Sequence, residues 1–184
     1  MTLLDRQPCL SDKIVKLRPL VQADWAPLFA VASDPEIWAL HPAHDRWREA
    51  VFRSFFDEAL DSKGALVIEH AQSGAMIGSS RYDLQHALPD EVEIGWTFLA
   101  RSCWGGPINR AVKRLMLRHA LASVEQVIFR VGDGNLRSRR ALEKIGAVLT
   151  DRITEDEMAG RLVRHLVYAI DRDGFSYGPL SSEW

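Results

Sequence analysis

Two spacings of apolar residues take turns along the chain. Residues 14–20, Ile14-Val15-Lys16-Leu17-Arg18-Pro19-Leu20, read as a short strand stopped by Pro19, and Gln22 with Asp24 opens a helix that Asp34-Pro35 breaks after Ser33. Over 45–62, Trp47, Val51, Phe55 and Ala59 fall four apart with Phe52 and Phe56 alongside, the stripe of an amphipathic helix ended by Gly64. Ala65–Glu69 and Ala75–Leu84 flank Gln72-Ser73-Gly74, which predicts strand, tight turn, strand. After Pro89 the period is two: Val92, Ile94, Trp96 and Phe98 point one way and Glu91, Glu93, Gly95 and Thr97 the other, a half-buried strand with a polar face. A Gly105-Gly106-Pro107 turn enters a helix over 108–122, with Val112, Leu115, Met116 and His119 on one face and Arg110, Arg114 and Arg118 on another. Gln126–Val131 reads as a strand, Asn135–Lys144 as a helix, and Val148–Thr154 and Leu162–Ile170 as two closing strands, with the acidic run Glu155-Asp156-Glu157 in the loop between them. That order predicts an α/β fold with a mixed sheet.

A chain of 184 residues is one domain at ~150 residues each. At 47% hydrophobic and 26% charged it can bury a core, which excludes long disorder, collagen and coiled coil. Net charge is -2, against binding nucleic acid through bulk positive charge. The distribution is uneven: residues 101–144 hold ten Lys or Arg against three acids, +7, leaving 13 minus 22, or -9, for the remainder. Cys9 and Cys103 make neither a disulfide framework nor a metal site, and the six scattered histidines lack ligand spacing, so no metal is expected. No stretch approaches the ~20 apolar residues of a membrane span, and Met1–Lys13 lacks the apolar core of an export signal, so a cytoplasmic protein is expected.

Candidate chemistry concentrates in two basic helix entries. At 91–118 a strand, a glycine turn and a basic helix follow one another, and a helix N-terminus offers free amides and about half a positive charge to a phosphate or pyrophosphate. The second, Asn135-Leu136-Arg137-Ser138-Arg139-Arg140-Ala141-Leu142-Glu143-Lys144-Ile145-Gly146-Ala147, combines an N-cap Asn, an apolar stripe and a basic stripe at 137, 140 and 144.

This second segment resembles the second conserved motif of the GNAT N-acetyltransferase superfamily. Glu93-Ile94-Gly95-Trp96 followed by Trp104-Gly105-Gly106-Pro107-Ile108-Asn109-Arg110-Ala111 is similar to its strand and acetyl-CoA loop, in the variant of the ribosomal-protein N-terminal acetyltransferases. Leu17-Arg18-Pro19-Leu20 with Asp24 is similar to that branch's opening. The likeness spans about 14–170 and implies one N-acetyltransferase domain over 1–184, with a mostly antiparallel mixed sheet, flanking helices and acetyl-CoA in a V-shaped splay between two central strands. It further implies pantetheine along Trp96, Thr97, Phe98 and Leu99. The pyrophosphate would lie on Trp104, Gly105, Gly106, Ile108, Asn109 and Arg110. Arg139, Arg140 or Lys144 would meet the adenosine phosphates, and Asn135 and Ser138 would contact CoA. Pro107 departs from the pattern because proline lacks the N–H of the glycine expected there, though it suits a helix start.

The resemblance implies direct acyl transfer from the thioester to a primary amine. Glu93, on the polar strand face beside Gly95, is the candidate base, with Glu91 as substitute. Where many members carry an acidic Tyr this chain has Leu142, so Ser138 is the remaining hydroxyl near the leaving sulfur. A protein N-terminal α-amine leads as acceptor by branch resemblance. The alternatives are a polyamine, amino acid or aminoglycoside, or a CoA-binding module with little catalysis. Negative charge outside 101–144 would draw a protonated amine. Members of the family often form homodimers, and neither nucleic acid nor membrane is expected as a partner. A Rossmann reading is disfavoured, because the glycine turn comes late and follows antiparallel-looking strands.

Overall fold

The computed structural model describes residues 3–181. In chain order the elements are β1 (Leu10–Ser11), β2 (Val15–Pro19), α1 (Trp25–Ala32), α2 (Glu49–Asp61), β3 (Ala65–His70), β4 (Met76–Asp83), β5 (Glu91–Leu99), α3 (Ile108–Leu121), β6 (Gln126–Gly132), α4 (Leu136–Lys144), β7 (Val148–Met158), β8 (Arg161–Asp171) and α5 (Arg172–Tyr177). They form one eight-stranded sheet ordered β1-β2-β3-β4-β5-β6-β8-β7. Every neighbouring pair is antiparallel except β5–β6. The expected mixed, mostly antiparallel sheet with flanking helices is the fold found.

Helices cover both sheet faces, and the strand sequences show why. In β3, Leu66 and Ile68 enter the core shared with α3 and α4, while Ala65 and Val67 enter the one shared with α1 and α2. A strand buried on both faces reads as an unbroken apolar run. The second core is aromatic, with Phe52 and Phe56 at 0% exposure and Trp38 at 2%. Here the α2 stripe is Phe52, Phe55, Phe56 and Ala59; Trp47 precedes the helix and is exposed. Arg18 ties β2 to the start of this layer through Asp24 (2.8 and 2.9 Å) and Glu69 (2.9 Å).

Strand β5 departs from its predicted alternation. Ser79 pairs with Phe98 and Arg81 with Gly95, so Ser80 faces two residues, Trp96 and Thr97, and Trp96 takes φ 51°. This β-bulge reverses the facing of everything after it. Val92, Ile94 and Leu99 pack toward α3, but Phe98 and Trp96 turn to the α1/α2 side, the side of Glu93, and Thr97 turns to α3. The bulge also bends β5 away from β6: their parallel pairing covers only Glu91–Glu93 against Gln126–Ile128, although both strands continue. A wedge opens between them.

Two further differences follow from local backbone. The acidic run 155–157 lies inside β7, and the reversal occurs at Ala159-Gly160, both at positive φ (49° and 72°), a tight hairpin geometry. Three consecutive acids on a strand resemble a loop in composition. Gly78 brings β4 close to β5: a Cβ there would sit 2.1 Å from the Phe98 carbonyl oxygen. Gly78→Ala should therefore cost ~2–3 kcal/mol of stability in urea unfolding, since backbone must move.

Candidate active site

Among the described residues, the amides of Gly105, Gly106, Ile108, Asn109 and Arg110 in the loop and first turn of α3 have no hydrogen-bond partner. Gly105 lies at φ 72°, and a Cβ on either Gly105 or Gly106 would have nothing within 4 Å. Pro107 has helical angles (φ -78°, ψ -11°) and its carbonyl accepts the first helical bond from Ala111 N–H (2.9 Å). Proline thus starts the helix as its fixed φ favours. The N–H groups of Ile108, Asn109 and Arg110 occupy the first turn, where no intrahelical acceptor exists. The Arg110 guanidinium donates to the Pro179 carbonyl, so it is turned toward the C-terminal segment.

Beyond the bulge, β5 offers main-chain groups to the wedge. Ala100 N–H bonds Ile77 O (2.8 Å) on the β4 side, so strand alternation turns the groups of Leu99 and Thr97 the other way. There the Leu99 carbonyl accepts from Trp104 Nε1 (3.0 Å). Lys113, one of the ten basic residues of 101–144, enters the same place from α3. It is 5% exposed, its Nζ donates to Thr97 Oγ1 (2.7 Å), and it lies 5.5 Å from the Phe129 ring centre on β6. Desolvation pushes its pKa down to about 7. Thr97 Oγ1 is also 2.8 Å from Ser80 Oγ, so one polar chain spans the bulge.

At the other wall of the wedge, buried Asn135 caps α4, its Oδ1 accepting from Ser138 N–H (3.2 Å). Ser138 is half-buried on the first turn. Arg139 donates to Tyr168 Oη (3.2 Å) and Asp133 O (3.1 Å), whereas Arg140 and Lys144 are exposed. Arg137 crosses the wedge instead: its guanidinium stacks 4.1 Å over Trp104 and donates to Ile37 O (2.7 Å). With Arg101–Asp34 (2.5 Å), this ties the segment after α1 across the outer end.

On the α1/α2 side of the wedge lies Glu93, 3% exposed, with Oε2 lacking a hydrogen-bond partner among the described residues. Arg130 is nearest in charge at 4.0 Å, but it is bonded to Asp156 and to Thr154 Oγ1 (2.9 Å). Burial therefore prevails over the guanidinium and raises the Glu93 pKa to about 7. Glu91 is committed elsewhere, both oxygens 2.9 Å from Arg152 Nη1. His41, its Nδ1 accepting from Ala43 N–H (3.0 Å), is pushed down to about 3 by desolvation and nearby Arg46, too weak a base for an ammonium proton. Desolvation also lowers His165. Arg46, Arg81, Arg130 and Arg137 border this side together with Asp83, which pairs with Glu93 across the strands, Glu58 and Asp156, so charges of both signs meet there.

Among the described residues no helix is long and apolar enough to cross a membrane, and no cluster of metal-ligating side chains occurs. Several solved structures share the fold. A GCN5-related N-acetyltransferase from Brucella melitensis is 19% identical with TM-score 0.79, over 95% of this chain and 82% of that one. Spermidine N-acetyltransferase from Vibrio cholerae, solved with CoA and spermine, is 15% identical with TM-score 0.68, over 89% and 99%. Ribosomal-protein-S5-alanine acetyltransferase from Vibrio fischeri is 12% identical with TM-score 0.68, over 91% and 98%. The family model for the acetyltransferase (GNAT) domain matches residues 15–148, from β2 through the second basic motif, and the chain belongs to that family of acetyl-CoA-dependent N-acetyltransferases.

Proposed function

We propose that the chain acetylates a primary amine, with the cofactor entering the β5–β6 wedge from the α3/α4 side and the acceptor from the α1/α2 side. The observation that carries this is Glu93: a buried carboxyl whose Oε2 accepts no hydrogen bond among the described residues, with a pKa raised to about 7, at the point where the paired strands part. Acetyl-CoA supplies an acetyl group already activated as a thioester. The amides of Gly105, Gly106, Ile108, Asn109 and Arg110 suit its pyrophosphate, being unpaired at a helix N-terminus with open space above the glycines. Thr97 and Leu99 offer main-chain groups to its pantetheine arm, and Lys113 and Ser138 border the same gap with donors.

Glu93 accepts the ammonium proton of the acceptor, directly or through one water, and frees the nitrogen lone pair. A new N–C bond then forms to the acetyl carbon as the C–S bond breaks, and the nitrogen gives up its second proton to water, leaving a neutral amide. The sulfur leaves with the bonding pair and is protonated from solvent, Ser138 Oγ donating a hydrogen bond as charge develops. Glu93 returns its proton to solvent. A carboxyl near pKa 7 matches an α-amine of pKa ~8 far better than an ordinary glutamate would.

Calorimetry and thiol release together test this reading. Purified protein should bind acetyl-CoA and release free thiol only when an amine is present. Binding without amine-dependent release across a broad amine panel would leave a CoA-binding module in place of the enzyme.

A further inference from the structure

We propose that the acceptor amine carries a carboxylate, which Arg81, assisted by Arg46, binds while Glu93 faces the amine. The inference rests on the transfer reading above and narrows its substrate class. Arg81 on β4 is 5% exposed, yet its Nε and Nη2 have no hydrogen-bond partner among the described residues. Leaving two guanidinium donors dry and unpaired is costly unless a ligand completes them.

The surroundings define that ligand. Arg81 Cζ lies 4.6 Å from the Trp96 ring centre and 5.8 Å from that of Phe55, and Arg46 Cζ lies 4.6 Å from the same Phe55 ring and 5.7 Å from Trp38. These ring contacts use none of the N–H donors, which are left for a planar anion, the geometry a carboxylate matches. Neither arginine forms an ion pair with a described carboxylate, although Glu58 lies in the field of both and Asp83 in that of Arg81; Arg46 is pushed down to about 10 by desolvation and then by Arg81.

Placement relative to Glu93 supplies the amine. Arg81 pairs across the strands with Gly95, two residues beyond Glu93 on the same side, about 6.8 Å along the strand. Glu93 leans over Gly95, where a Cβ would lie 3.0 Å from its Oε1, so its carboxyl is turned to the Arg81 side of the strand. Glu93 and Arg81 thus face one cleft over Gly95, where the ammonium and the carboxylate of a single short acceptor can reach them from above. A polyamine would bring its second cation against Arg81, Arg46 and Arg130.

Thiol release with acetyl-CoA should be measured over α-amino acids, the corresponding amino-acid amides, the decarboxylated amines, aminoalkyl phosphates of equal length, spermidine and short peptides. At least one amino acid should exceed its own amide by ~30-fold or more in kcat/KM. Arg81→Gln should raise KM for that acid by a similar factor and erase the preference for acid over amide, with the acetyl-CoA Kd unchanged. Arg81→Lys should recover part of it. Amides, amines, peptides or spermidine performing as well as the acids would overturn the inference while leaving acetyl transfer standing, and better aminoalkyl phosphates would overturn the carboxylate. If the variants fail to fold, the wild-type panel still decides. No release with any amine would overturn the transfer reading and this inference with it.

Discussion

Glu93→Gln should lose ~10²–10⁴ in kcat and at the same time yield a more stable protein. The two effects have one origin. Burial raises the carboxyl from an ordinary 4.5 to about 7, so the native state holds a proton that the unfolded chain has released between those values. The stability contributed by the protonated form is complete below pH 4.5 and falls as pH rises through 7. Gln cannot ionise, so above pH 7 it avoids a cost on the order of 3 kcal/mol. Urea unfolding of both proteins at pH 5 and pH 8 checks this: the curves should nearly coincide at the lower pH and separate at the higher. A Gln variant that lost both activity and stability would mean the carboxyl is structural.

Lys113→Met carries the second large effect, and its pH dependence has the opposite sign. Desolvation lowers the folded pKa from 10.5 to about 7, so between those values the unfolded chain binds the extra proton and wild-type stability rises with pH. At pH 7 the buried cation costs on the order of 4 kcal/mol, which Met would remove while filling similar volume. Ser80 and Thr97 keep their 2.8 Å hydrogen bond to each other, so the substitution orphans neither hydroxyl. The expected result is higher stability at pH 7, a gap that closes toward pH 10, and weaker acetyl-CoA binding in calorimetry.

Periodicity located the main strands and helices, because a 3.6 or 2.0 repeat of apolar residues is imposed directly by which face is buried. The bulge in β5 left no such mark. Trp96 adopts φ 51° without the glycine that usually announces positive φ, and the register shift is set by β4 across the sheet. Hence Trp96 and Phe98 were assigned away from Glu93, whereas the structure puts them on its side. Lys113 was hidden in a different way: it adjoins the predicted Val112–Leu115 stripe of a basic helix, and only the width of the buried arc, which runs through Ala111, Val112 and Lys113, takes it inside. Arg81 sits in a strand of small and polar residues with no cue that its partner positions, Gly95 and the aromatic layer, would enclose it. The face on which Glu93 lies was legible from alternation; that Arg130, 4.0 Å away, is bonded instead to Asp156 was not, because the acidic run reads as a loop.

The most direct test of Glu93 as base in amine acetylation is the pH dependence of kcat/KM for amine-dependent thiol release, wild type beside Glu93→Gln. The wild type should fall about tenfold per pH unit below an inflection near 7 and level off above it until the amine itself titrates. The variant should be slow throughout and lack that inflection. A wild-type profile flat from pH 5.5 to pH 8, or a variant that retains the same inflection and rate, would contradict the account.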